Sequence, residues 1–260
     1  EQAAATTREQ LERDPDNPQR LFDHSQSEFW VGYIAWQRGD LDRAERHMHA
    51  YHDYAQRLVA LEPDRAKWRL ELGYAFSNLG TLTVERRNWA KALGWFERSR
   101  GINEVYVAEN PDDDVAILAL GQDYSYAGEN LAVLGRYDEA VASFEREIRL
   151  YDRLIEAAGA HELAEARRIW AGYFLASIDL DRGELEAARG EVLRERVRLR
   201  GARWHVGRPA ETIHPRPSAD EVPEIPIEAA ALGDDFEEGA RVSDRRSDLL
   251  AVAHDAWVGE

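Results

Sequence analysis

The stretch Leu134–Glu145, LGRYDEAVASFE, decides how the chain is read. Alone, it is the start of an amphipathic helix entered through a glycine turn. Beside RGDLDRA (38–44), RRNWAKA (86–92) and RGELEAA (182–188), it is one copy of a repeated unit. The final alanines stand at 44, 92, 140 and 188, a step of 48 residues. The same step links Gly39, Arg87, Gly135 and Gly183; Leu41, Trp89, Tyr137 and Leu185; Met48, Phe96, Phe144 and Val192; and Gly32, Gly80, Gly128 and Ala176. A fixed period of this kind marks stacked units, each burying its apolar face only against its neighbours.

Each unit reads as a helix, a tight turn and a second helix. In the third copy Tyr137, Ala140, Val141, Phe144, Ile148, Tyr151 and Ile155 recur at steps of three and four, which is one apolar stripe on a helix. The glycine ahead of it suits a left-handed cap on the preceding helix, and the acidic residue that follows favours the new N-terminus. Small residues at 32, 80, 128 and 176 let the first helix approach its partner, and the alanines at 44, 92, 140 and 188 do so from the other side. Pro15, Pro63, Pro111 and Gly159 fall where each unit ends. The spacing predicts helices near 17–37, 40–61, 65–85, 88–109, 113–133, 137–157, 161–181 and 185–202. Residues 6–14 read as the end of an earlier second helix.

These positions resemble the tetratricopeptide repeat (TPR) family: a small residue in the first helix, Gly-x-Tyr/Leu-x-x-Ala at the turn, an aromatic four residues later and a terminal proline. The resemblance covers about residues 16–200. It departs from the family in length, since the usual unit has about 34 residues and this one has 48. The excess lengthens the helices. The implied fold is all-α, a right-handed superhelix of about four long hairpins over residues 1–203. Units of this long kind resemble those of multidomain bacterial signalling proteins.

If the family's geometry carries over, the first helix of each unit lines the concave side. The residues presented there are Gln26, Phe29, Tyr33 and Trp36; Tyr74, Ser77, Asn78 and Thr81; Gln122, Ser125 and Glu129; and Trp170 and Tyr173. Partly exposed rings with adaptable amides and hydroxyls suit peptide recognition. The same rings can instead pack between hairpins, and spacing does not separate the two. Family members that clamp a peptide carboxylate use cationic and Asn side chains. The matching positions here are Phe29, Tyr33, Asn78, Gln122 and Tyr126, so only the Asn remains and that ligand is not expected.

Composition bounds the rest. The chain has 260 residues, 44% of them hydrophobic, and a formal charge of −17, which opposes binding to nucleic acid and to anionic lipid. No run of about 18 apolar residues marks a membrane span. Met48 is the only methionine, so the sequence reads as a piece of a longer chain, and the lack of cysteine fits either a cytoplasmic or a periplasmic setting. From Trp204 the period stops: 204–242 is proline-rich, 204–260 carries 13 acidic against 5 basic side chains, and 243–260 reads as a terminal helix with Leu249, Leu250, Ala253 and Trp257 in a stripe. The stretch HMHAYHD (47–53) has metal-like spacing in His49, His52 and Asp53, but a solvent-facing or packed helix explains it equally well, and neither metal nor cofactor is expected. No nucleophile elbow or phosphate-cradling loop is present.

The expected function is therefore a non-enzymatic protein- or peptide-binding scaffold whose partner segment carries Arg or Lys. The alternative is a sensor module that binds a small ligand or its own tail and controls an effector domain elsewhere.

Overall fold

The structure, a computed structural model, describes residues 2–158, 161–184, 187, 188, 190–192 and 194. The expected extended segment 204–242, the expected helix 243–260 and most of the helix expected over 185–202 lie outside the described residues. Among those described every regular element is a helix. The chain divides into two compact units, Glu1–Ala160 and His161–Glu260.

The first unit holds α1 (Gln2–Arg13), α2 (Pro18–Gln37), α3 (Leu41–Leu61), α4 (Ala66–Glu85), α5 (Trp89–Glu109), α6 (Asp114–Val133) and α7 (Tyr137–Ala158), each packed on the next. The starts of α2, α4 and α6 are 48 residues apart, as are those of α3, α5 and α7. Local chemistry sets these bounds. Asn17 accepts from the amides of Gln19 and Arg20 with Pro18 in the first turn, and Asp40, Asn88 and Asp113 cap α3, α5 and α6 in the same manner. The first helix of each hairpin ends alike three times. Gly39 N–H donates to Trp36 O and Asp40 N–H to Ala35 O; Arg87 donates to Val84 and Asn88 to Thr83; Gly135 donates to Ala132 and Arg136 to Leu131. That closure needs positive φ, which Gly39 and Gly135 adopt at 74° and Arg87 at 57°.

Each hairpin is locked where a small residue meets a large one. Gly32 faces Met48, Gly80 faces the ring of Phe96 and Gly128 the ring of Phe144; a Cβ on Gly80 would lie 2.5 Å from the Phe96 ring. Ala44, Ala92 and Ala140, four residues ahead of those large side chains, are all fully buried. Between hairpins, Phe29, Met48 and Tyr51 join Ala75, Leu79 and Leu82 of α4 in one cluster, and Leu11, Leu21, Leu58 and Trp68 form another.

The interior also carries carboxyls that the apolar stripes do not announce. Glu71 of α4 accepts from Tyr51 Oη at 2.5 Å and from the Gln26 amide. Asp123 of α6 accepts from Ser99 Oγ at 3.1 Å and Asn103 Nδ2 at 2.6 Å, both on α5. Donors from the neighbouring helices replace the lost water.

The second unit contains α8 (Glu162–Asp181), capped by the His161 imidazole on Ala164 N–H and closed at Gly183 with φ 78°. Ala188 and Val192, beyond that turn, are buried.

Candidate functional site: the first-helix face

The expected binding residues of the first unit lie on α2, α4 and α6, and their surroundings differ sharply. Phe29 is a correction. It is 3% exposed and packs on Tyr51 with ring centroids 5.5 Å apart, so it belongs to the core and not to an open face. The reason is angular: α2 is covered by α3 on one side and by α4 on the other, which leaves a narrow exposed arc that excludes position 29. Tyr33 and Trp36 are half-buried, lean on the same core cluster and keep an open side. Gln26, half-buried, is held by Glu71.

On α4, Tyr74 is half-buried and its hydroxyl is pushed up to about 12, first by burial and then by the nearby Glu71. It therefore acts as a neutral donor and acceptor at any ordinary pH. Asn78 donates to Tyr74 O at 2.7 Å and Thr81 to Ser77 O at 3.1 Å, so part of their polar capacity is spent on their own helix. On α6, Gln122 Nε2 donates to Tyr126 Oη at 2.6 Å, and the Tyr126 ring stacks on Phe96 with centroids 4.8 Å apart. Glu129 is a second correction: expected as a charged rim, it is half-buried, and desolvation pushes its carboxyl up to about 7 against the opposing hydrogen bond from Ser125. Trp170 and Tyr173 lie together on α8 of the second unit, 6.1 Å apart, with Trp170 51% exposed.

Sequence reading missed Trp30, which is 44% exposed and meets Phe29 at 5.1 Å and Tyr33 at 5.9 Å. With Tyr33 and Trp36, themselves 6.0 Å apart, it makes a ridge of edge-to-face rings along α2. The signal was available: Trp30 stands 48 residues before Asn78, a position already singled out, and 96 before Tyr126. Beside the ridge, the Lys67 ammonium lies 4.0 Å from the centre of the Phe22 ring.

The histidine stretch on α3 is packed chemistry. His52 is buried against Phe76 and Trp95 with Nδ1 3.1 Å from Asp53, and desolvation lowers its pKa. Among the described residues no three His, Cys, Asp or Glu side chains are placed to hold a metal, and no helix is long and apolar enough to cross a membrane.

The fold is that of TPR-like helical-repeat proteins. Among solved structures the chain is similar to the apo form of RapI, at 11% identity and a TM-score of 0.51 over 68% of this chain and 56% of that one. MamA is similar at 15% identity and a TM-score of 0.46, over 76% of this chain and 87% of that one. Aspartyl phosphate phosphatase F from Bacillus subtilis is similar at 11% identity and a TM-score of 0.44, over 74% and 54%. The chain thus spans about half the length of RapI and of the phosphatase. No protein-family model and no curated protein matches the sequence.

Proposed function

We propose that this chain is a protein-binding scaffold module whose first-helix face takes an extended peptide segment of a partner. The observation that carries the reading is the ridge of Trp30, Tyr33 and Trp36, large rings left partly open on a helix whose other sides are packed. Aromatic anchors of this kind supply contact area at small entropic cost, while Gln26 and Gln122 orient a backbone. The acidity of the chain, −17 overall, supports a partner segment with Arg or Lys through faster encounter and rejection of acidic competitors. The repeat unit we infer is a long-helix TPR variant of 48 residues, supported by the helix starts at 18, 66 and 114 and at 41, 89 and 137. A solenoid domain over 1–203, and a place in a multidomain bacterial signalling protein, belong to the same proposal.

The test is selection of binders from a random displayed peptide library, followed by affinity measurement on the individual peptides. Selected peptides should be enriched in Arg or Lys, and Trp30→Ala with Tyr33→Ala should weaken them by about tenfold or more. Equal binding by a double variant with unchanged helical content would remove the proposal.

A further inference from the structure

The side of α2 facing away from α4 is left open where its counterparts are closed. Ile34 is 47% exposed, and Val31 one turn earlier is half-buried. The residues 48 positions on, Leu82 and Leu79, are 5% and 2% exposed, packed in one cluster with Ala44 and Met48 from the first half of α3. The next pair, Asn130 and Ala127, is 3% and 0% exposed. On α2 the corresponding cover exists only over the first half. Thr7 of α1 bonds His24 and Ser27, and Leu11 packs with Leu21, while the stretch from Val31 to Arg38 receives nothing comparable.

Charge points the same way. Arg86, at the end of α4, pairs with Asp42 and Glu45 of α3. Arg38 occupies the matching place at the end of α2, is exposed, and has no acidic partner among the described residues. A cleft of about 170 Å³ beside Val31 is lined by Ala4, Ala5, Arg8, Arg43 and His47. On a chain of −17 this is a locally cationic surface around an apolar strip.

We propose that Val31, Ile34 and Arg38 form a docking surface for an acidic amphipathic helix of a partner protein, packed on α2 as the first half of α3 packs on α4. The occupant carries acidic side chains in its first turn to meet Arg38, a small residue at the closest approach as Ala44 provides, and an apolar residue four positions later as Met48 provides. The surface is separate from the ring ridge, and its assignment rests on the 48-residue register proposed above.

The experiment uses the whole chain and, as probe, a labelled helix-stapled peptide of residues 40–51, DLDRAERHMHAY, the segment that covers the matching face of α4. Fluorescence anisotropy should show saturable binding that weakens with salt. Ile34→Glu, at an exposed position, should weaken it by about tenfold or more, and Arg38→Glu by a few-fold with most of the salt dependence lost. Circular dichroism of both variants should match the parent. Absence of saturable binding, or binding that Ile34→Glu leaves unchanged, overturns the proposal. So does a concentration-dependent dimer of the free chain that Ile34→Glu abolishes, because the surface then serves a second copy. Failure here while Gly80→Ala and Gly128→Ala destabilise as expected removes only the docking surface. Glycine variants without effect remove the register itself.

Discussion

At the residue scale the hairpins depend on three glycines that are not interchangeable with the others. A Cβ on Gly128 would fall 2.8 Å from the Phe144 ring, and on Gly80 2.5 Å from Phe96, distances at which the ring or the helix must move. Gly80→Ala and Gly128→Ala should each destabilise by about 1–3 kcal/mol in urea melts. Gly101, in the middle of α5, faces open space, so Gly101→Ala should instead stabilise by about 0.5–1 kcal/mol, since the helix loses no packing and the unfolded chain loses freedom. A uniform effect at the three sites would show that close approach is not what holds the hairpins. Ala140→Leu, at a fully buried position, belongs with the first pair. This much was legible in the sequence, because a small residue facing a large one at a constant step leaves a periodic trace. Trp30 left the same trace, but its equivalents Asn78 and Tyr126 differ in chemistry, so no residue type repeats there.

At the element scale α4 and α6 each bury an acid against the hairpin partners of their neighbours, and this gives the fold a pH dependence. Asp123 is 2% exposed, and burial pushes its carboxyl up to about 7, opposed by the Asn103 and Ser99 hydrogen bonds and by Arg100 and assisted by Glu104. An unfolded aspartate titrates near 3.9, so between about pH 4 and 7 the folded chain holds a proton that the unfolded chain has released. Stability is therefore highest at the acid end of that window and falls as pH rises through 7, by on the order of 2–4 kcal/mol from this residue. Glu71 and Glu129 are shifted upward by burial too and act in the same direction. Thermal melts from pH 5 to 8 should show a falling midpoint, and Asp123→Asn should flatten the part that Asp123 contributes. A midpoint that rises over this range would contradict the assignment. Sequence periodicity does not reveal these acids, because a helix packed on two sides buries residues outside its apolar stripe.

At the scale of the whole molecule, the first unit separates a packed interior from the rings left for recognition, and one pair of variants measures the division. Phe29→Ala should cost about 3–5 kcal/mol by emptying a core site. Trp30→Ala, one residue on and 44% exposed, should cost no more than about 1 kcal/mol. Chemical melts of the two proteins check this directly, and similar losses would place Trp30 in the core as well.

The sequence by itself determined the helical hairpins, their bounds to within about a residue, the turn closures at Gly39, Arg87 and Gly135 and the small-to-large contacts, because all of these are local or recur at a constant spacing. Tertiary structure alone decided which rings stay open. Phe29 and Trp30 are adjacent and equally apolar, and only the directions of α3 and α4 around α2 bury the first and expose the second. It likewise decided that Glu129 is half-buried and that Ile34 stands open where Leu82 is covered, since each outcome depends on what a neighbouring helix reaches and not on the residue's own period.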